Sequence, residues 1–233
     1  MFNTRKPDLS RTWVKIKGKI YGAKQDKRGP IGGGYGYRKV VRQGDCCVET
    51  LDELLDSLAK ARPGDTVFLN GRVEIDCTER VYIEKQVIEI PKGVTLASDR
   101  GQGSSKGGLI LCDTFSTKPL ILIGGDGVRI TGLRIKGPDP KRGMKHHDRS
   151  FSEGYGADYY YKFPTSDGIS TMHPDLEVDN CELGGWSYAA VYLRAGEGHH
   201  IHHNFIHHNQ RNGLGYGVCH DRAFSLIEQN LFN

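Results

Sequence analysis

The chain reads as an all-β protein, a right-handed parallel β-helix with an amphipathic capping helix near its N-terminus. Three observations predict it: an apolar pattern recurs through residues 176–233, asparagines fall in phase within it, and a strand-like run precedes each copy. With an aliphatic at position zero, a pivot at +3 and a second apolar residue at +5, the copies are Val178/Cys181/Leu183, Ile201/Asn204/Ile206 and Ile227/Asn230/Phe232. An earlier copy is Ile130/Leu133/Ile135, and successive pivots lie 48, 23 and 26 residues apart. A repeat of this length, built of short β-type runs, buries its inner face only by stacking on its neighbours. Ile121, Ile169, Val191 and Leu214 mark the preceding runs, 9, 9, 10 and 13 residues before Ile130, Val178, Ile201 and Ile227. A β-sandwich would instead need hairpin turns every ~8–12 residues and would give its asparagines no common phase.

Residues 1–30 read as an N-terminal extension and 31–233 as the β-helix domain. The glycine-rich stretch 31–41, IGGGYGYRKVV, is expected to turn into a strand; with no GK[ST] and no helix after it, it does not suit a phosphate cradle. ETLDELLDSLAKARPGD carries a helix signal. Thr50 can cap it with Glu53 three residues on, Leu51, Leu54, Leu55 and Leu58 share a face, and Pro63–Gly64 stops it. Such a helix would cover the open end of the solenoid, where strand edges are otherwise unpaired. TVFL, VYI, VIEI, VTLAS and LILC are the expected first coils. The 48-residue interval holds only one extra strand pair, so residues 137–165 are expected to form a long loop inserted at one edge. The last coil has no cap, and the domain reads as incomplete at its C-terminus.

Composition agrees with this fold. Thirty-one glycines suit a chain that turns a tight corner on every coil. The 32 basic and 28 acidic residues leave a net charge of +4, which does not favour nucleic acid or an anionic membrane as partner. No apolar run reaches the ~18 residues of a membrane span. The N-terminal MFNTRKPDLSRTW has no apolar stretch of the signal-peptide kind, which fits a cytosolic protein or a chain that starts downstream of its targeting segment. Six cysteines are too few for a disulfide scaffold at this length. Cys181 at a pivot and Cys112 in LILCD are expected as buried free thiols, and the adjacent Cys46 and Cys47 are poorly placed to bridge each other.

Coils stacked about 4.8 Å apart bring equivalent positions into columns. With Ile130, Val178, Ile201 and Ile227 inward, one outward column is Thr131, Asp179, His202 and Glu228, and another is Arg129, Glu177, His200 and Leu226. A carboxylate beside an imidazole raises its pKa and fixes its tautomer, as general-base work requires. The Asp179–His202–Glu228 trio could equally hold a divalent metal; the bland reading of such a column is solvated surface. Seven of the ten histidines lie between His199 and His220, yet no finger-type Cys/His spacing occurs, so no dedicated metal-ligand set is expected. In the insertion, Lys145, His146, His147 and Arg149 neighbour Tyr155, Tyr159, Tyr160 and Tyr161. Rings that stack and cations that pair suit an anionic sugar chain, and Tyr192 and Arg194 join these residues as substrate-binding candidates.

From residue 31 to the end, the order of these runs resembles the pectate-lyase-like (pectin-lyase-like) β-helix superfamily: TLDELLDSLAKARPGDTVFL at the entry, then GVRITGLRI, LEVDNCEL and HIHHNFIHHNQRNGL. LEVDNCEL is similar to the W-[IV]-D-H-x-x-[LF] strand of the calcium-dependent pectate lyases, with Asp179 on the Asp and Asn180 replacing the His. NFIHHNQRNGL resembles their N-x-[FI]-x-x-x-x-K-x-G-L run and sets Arg211 on the Lys. The calcium carboxylates do not carry over. Tyr188 and Tyr192 occupy the two acidic positions of one strand, and the other acidic pair falls near Thr171 and Met172. The family's catalytic Arg lies beyond Asn233. The resemblance implies a carbohydrate-active protein, secreted or at the cell surface if the chain starts downstream of its targeting segment, with calcium as an implied cofactor that lacks matching ligands.

The expected function is a polysaccharide lyase acting on a uronic-acid-containing polysaccharide by β-elimination. A base must then take the proton α to the carboxylate while a cation neutralises that carboxylate. The resemblance puts Arg211 in one of these roles despite a guanidinium pKa above ~12, and Asp179, His202 and Glu228 are the other catalytic candidates. A glycoside hydrolase would need two carboxylates about 5–9 Å apart, which Asp179 and Glu228, two coils apart, would provide. A non-catalytic carbohydrate-binding or surface β-helix is the third reading. The expected partner is the polysaccharide, with no nucleic acid and no membrane span.

Overall fold

The chain folds mostly as short β-strands in parallel sheets, with few helices. A computed structural model describes residues 13–22, 24, 37–115, 117–138, 144–209 and 215–233. An antiparallel hairpin, β1 (Trp13–Ile16) and β2 (Lys19–Gly22), forms a sheet of its own. Next come β3 (Cys46–Val48), α1 (Leu51–Lys60), β4 (Thr66–Leu69), β5 (Glu74–Asp76) and α2 (Thr78–Glu84). They lead into β6 (Ile88–Ile90), β7 (Thr95–Ser98), β8 (Leu109–Leu111), β9 (Ile121–Ile123), β10 (Arg129–Thr131) and β11 (Arg134–Lys136). Two helices, α3 (Met144–Phe151) and α4 (Ala157–Tyr161), precede β12 (Asp167–Thr171), β13 (Glu177–Asp179) and β14 (Glu182–Gly184). The last strands are β15 (Ala189–Leu193), β16 (Gly196–His202), β17 (Phe205–His207), β18 (Tyr216–His220), β19 (Ala223–Glu228) and β20 (Leu231–Phe232).

From β4 onward the chain visits three parallel sheets in strict rotation. The seven-stranded sheet takes β4, β7, β10, β13, β16 and β19, with β3 at its edge. The six-stranded sheet takes β5, β8, β11, β14, β17 and β20, and the five-stranded sheet takes β6, β9, β12, β15 and β18. One circuit therefore holds three strands rather than the two expected from the sequence.

The register stacks aliphatic on aliphatic. Val67, Leu96, Ile130, Val178 and Ile201 align in the seven-stranded sheet. Ile75, Ile110, Ile135, Leu183 and Ile206 align in the six-stranded sheet, and Ile88, Ile121, Ile169 and Val191 in the five-stranded sheet. None is more than 3% exposed. At roughly 1.5–3 kcal/mol for each buried aliphatic, these columns dominate the favourable side of folding, and each residue contributes only while a neighbouring circuit covers it. Ile227 sits in register with Ile201 but is 38% exposed, having a neighbour on one side only.

The +3 pivot is a corner, which is why one expected run is two strands. The residue before it is left-handed in every copy: Gly132 (φ 73°), Asn180 (54°), His203 (55°) and Gln229 (53°). At Gly132 an added Cβ would collide with the Ser98 carbonyl. Asn204 clamps its corner: Oδ1 accepts from the Cys181 N–H (2.9 Å), and Nδ2 donates to the Val178 carbonyl (2.8 Å) and to Asn230 Oδ1 (3.0 Å). Asn209 repeats the clamp at the next corner, accepting from the Trp186 N–H (3.0 Å) and donating to the Leu183 carbonyl (3.2 Å). The run IHHNFIHHN is thus one corner written twice, five residues apart, and the second copy was not foreseen.

Helix α1 has the expected capping box. Thr50 Oγ1 accepts from the Glu53 N–H and Glu53 Oε2 from the Thr50 N–H, both at 3.2 Å, while Leu54 and Leu58 enter the core. Three expectations need correction. VYI lies in α2 rather than in a strand: Asp76 Oδ1 accepts from the Thr78 N–H (2.9 Å), Arg80 pairs with Glu84 one turn on (2.6 Å), and only Val81 of the three apolar residues is buried. The insertion is not a plain loop, since it contains α3 and α4. Leu214 lies outside the described residues, and Val218, nine residues before Ile227, stacks on Val191 in its place. All six cysteines are free thiols; Cys77, Cys112 and Cys181 are buried, Cys46 and Cys219 half-buried and Cys47 exposed. No helix among the described residues is long and apolar enough to cross a membrane.

Candidate functional site

Both outward columns exist in the seven-stranded sheet. Thr131, Asp179, His202 and Glu228 are register partners across β10, β13, β16 and β19, as are Arg129, Glu177, His200 and Leu226. Period-two alternation sends Glu177 with Asp179, and His200 with His202, to the same face. The columns are not plain solvated surface, because the chain at residues 37–39 crosses them. Tyr37 is 4% exposed; its hydroxyl donates to Asp179 Oδ2 and lies 3.2 Å from Arg129 Nη2. Lys39 Nζ reaches Glu177 Oε1 at 3.1 Å.

Pairing under this strap differs from the expected ladder. Asp179, fully buried, receives both arms of the Arg129 guanidinium, Nε to Oδ1 at 3.0 Å and Nη2 to Oδ2 at 2.9 Å. His202 turns to Glu177 instead, Nε2 to Oε1 at 3.0 Å, and its Nδ1 lies 2.8 Å from Nδ1 of His203. A contact between two ring nitrogens needs one of them protonated and the other not, so the two imidazoles share a proton. His200 stacks on His202 with centroids 3.8 Å apart and places Nε2 3.0 Å from Glu228 Oε1. The His202 hydrogen bond, joined by the Arg129 and Lys39 charges and opposed by burial, holds the Glu177 carboxyl down at about 2. Burial pushes the Tyr37 phenol far up, with the Asp179 charge adding to it, and burial lowers the His203 imidazole.

The carboxylate–imidazole–imidazole arrangement recurs one corner on. Glu182 Oε1 lies 3.3 Å from His207 Nε2, and His207 Nδ1 lies 2.7 Å from His208 Nδ1. Burial alone would raise the Glu182 carboxyl; the His207 hydrogen bond and the buried Arg100 guanidinium, at 2.9 Å, overcome it and hold it at about 2. This second set is open. It borders a groove of about 420 Å³ on the six-stranded sheet, lined also by Arg134, Lys136, Gly184 and Gly185. Lys136 is exposed and has no acidic partner among the described residues, and the insertion leaves the sheet directly after it. A Cβ at Gly184 would press on the His207 ring, so glycine keeps the groove floor low.

The remaining sequence candidates are spread over the molecule. Tyr192 and Arg194 lie with the five-stranded sheet, where the guanidinium sits 4.2 Å above the Tyr192 ring and bonds Ser170 Oγ at 3.1 Å. Tyr188 packs between Tyr192 and Tyr216 with centroids 5.5 and 5.6 Å away, and burial raises its phenol. Nearby Asp167 was not foreseen; burial pushes its carboxyl up to about 6 despite Arg194 at 3.8 Å. In the insertion, Lys145, Tyr155 and Tyr161 are exposed, Tyr155 packs on Tyr159 (5.2 Å), and Arg149 donates to the Tyr159 hydroxyl (3.4 Å). The side chains of His146, His147 and Tyr160, and the whole of Arg211, lie outside the described residues.

Calcium does not fit the donors present. It takes about six to eight oxygen ligands, whereas Tyr188, Tyr192, Thr171 and Met172 stand at the positions the resemblance implies. The groups gathered on the seven-stranded sheet are rich in imidazole, and Glu177, His200 and His202 offer one donor atom each, all within 4.8 Å of one another. Glu182 and His207 were not foreseen from the sequence, and Arg129, Glu177 and His200 were placed in an outward column without a role, although i, i+2 charged pairs flanking an inward aliphatic were the available signal. Compared with protein-family models, with curated proteins and with solved structures, the chain matches none.

Proposed function

We propose that the three sheets wind as one right-handed β-helix closed at its N-terminal end by α1, and that the protein is carbohydrate-active, acting on a uronic-acid-containing polysaccharide as a lyase. Strict rotation among parallel sheets supports the winding, and parallel crossovers are right-handed in about 98% of cases. The functional reading is carried by the groove on the six-stranded sheet, where two cations stand beside a carboxylate-held imidazole pair.

In this reading Arg134 and Lys136 pair with a uronate carboxylate, which acidifies the carbon next to it. The His207–His208 pair, oriented by ionised Glu182, takes the proton from that carbon. The C–O bond at the β carbon breaks, its electrons go to the leaving glycosidic oxygen, and that oxygen takes up a proton. The product carries a double bond conjugated with the carboxylate. Exposed rings at Tyr155, Tyr161 and Tyr216 offer faces for sugar stacking. Asp179 and His202, both buried, hold the neighbouring face in shape rather than touch the substrate.

The test is the protein incubated with a panel of uronic-acid polysaccharides, with ultraviolet absorbance, reducing ends and retention on immobilised polysaccharide read together. Rising absorbance identifies elimination, and Lys136→Ala is then expected to lower kcat/KM by about tenfold, the equivalent of one charge-assisted contact. Reducing ends without absorbance would replace the lyase with a hydrolase, and retention alone with a non-catalytic binder. Silence in all three would overturn the carbohydrate reading.

A further inference from the structure

The outward face of the seven-stranded sheet has a chemistry that the groove does not use. His200 and His202 leave β16 on the same side, and Glu177, on β13, is the register partner of His200. One donor atom from each lies within 4.8 Å of the other two. Glu228 adds a fourth group, with Oε1 3.0 Å from His200 Nε2. Ligands from adjacent strands of a packed sheet are held by the backbone ladder, so little freedom is lost when they converge.

We propose that Glu177, His200 and His202 bind a divalent transition metal of the zinc class, with Glu228 at the rim of the site. Two imidazoles and a carboxylate are borderline donors that suit zinc, cobalt or nickel and not calcium or magnesium. On a tetrahedral ion with bonds of ~2.0–2.1 Å, neighbouring donors stand about 3.3 Å apart. The two 3.0 Å contacts, His202 to Glu177 and His200 to Glu228, already match that spacing. Small side-chain rotations within the 4.8 Å envelope complete the set.

The surroundings support the same assignment. A metal-bound imidazole is oriented by what its other nitrogen contacts, and His202 Nδ1 is held at 2.8 Å by His203 Nδ1. His203 would thus serve as a positioning residue, accepting the Nδ1–H while Nε2 faces the ion. Glu177, Asp179 and Glu228 bring three negative charges, against two positive ones from Arg129 and Lys39. The face is therefore anionic before the ion arrives. His200 is 34% exposed, which leaves an entry path and room for a water or an oxygen of an anionic ligand. This inference stands independently of the carbohydrate reading.

The experiment is titration of the full chain, freed of metal by chelator, with Zn²⁺ by calorimetry and with Co²⁺ by visible absorbance. One equivalent per chain is expected, with the intense visible bands of a low-coordinate Co²⁺ site. Losing an outer-sphere partner typically weakens a metal by ~10–100-fold, so His203→Asn is expected to weaken binding by about that much and His200→Gln by more. His207→Gln should leave the one-equivalent site intact. Glu228→Gln, at the exposed rim, guards against a folding defect in the others, and it should shift the Co²⁺ bands in a chain of unchanged circular dichroism. No binding by the wild-type chain would overturn the proposal. So would an equivalent that survives His200→Gln or disappears with His207→Gln, which would mark adventitious binding by the histidine-rich surface.

Discussion

Replacing Asp179 with Asn tests whether this residue is a structural clamp. Its carboxylate is fully buried, takes two guanidinium bonds of 3.0 and 2.9 Å from Arg129, and accepts the Tyr37 hydroxyl. Asn keeps the shape but cannot hold a guanidinium by both arms. Breaking a buried pair from one side costs about 3–5 kcal/mol. Arg129 is 22% exposed and keeps Glu177 at 3.5 Å, so part of its charge stays compensated and the expected loss falls to about 2–4 kcal/mol. Urea unfolding followed by circular dichroism measures it, as a fall in midpoint at unchanged slope. The double variant Arg129→Met/Asp179→Leu removes both charges and is expected to recover much of the loss. A destabilisation below about 0.5 kcal/mol, the size of an ordinary surface change, would refute the clamp. So would loss of polysaccharide turnover in a variant of unchanged stability, which would return Asp179 to a catalytic role.

Acid should unfold the protein through Glu177 and Glu182. Both are held at about 2, below the ordinary 4.5, so their stabilisation is complete above about pH 4.5 and is lost as the pH falls through about 2; a urea midpoint that stays flat across that window would contradict it. Asn204→Ala removes three hydrogen bonds at one corner and should cost about 2–3 kcal/mol, against a smaller loss for Asn209→Ala with two, as read from paired unfolding curves. Burial pushes the Cys77 and Cys181 thiols up to about 12 and raises Cys112, so a thiol reagent should label exposed Cys47 first and spare these three until denaturant is added. Peptide mass spectrometry of the labelled native chain checks the order.

Properties that repeat along the chain were legible in it. The inward aliphatics Ile130, Val178 and Ile201 and the outward partners Thr131, Asp179 and His202 occupy the registers that period-two alternation implies. The Thr50–Glu53 capping box is a four-residue signal and forms as read. The asparagine contact between Asn204 and Asn230 follows from their common phase. Where a local pattern was ambiguous the reading slipped. VYI alternates like a strand, but its charged flanks pair one helical turn apart, and a +3 pivot inside an apolar run looks continuous until a left-handed residue bends it.

Alternation determines which side of a strand a residue faces and, through the repeat, which residues become its neighbours in a column. It does not determine what crosses over that column. Tyr37 comes from 142 residues away to cover Asp179. Beside it Arg129 holds Asp179, His202 holds Glu177, and two imidazoles and a carboxylate converge at the edge of the strap. The groove beside Lys136 likewise exists only because four successive strands of the six-stranded sheet, carrying Leu109, Lys136, Gly184 and His207, lie side by side there. The repeat, its inward columns and its outward registers came from the sequence, because they are periodic and short-range. Burial, charge pairing and access were decided by the tertiary structure, because each depends on segments that approach only when the sheets are assembled.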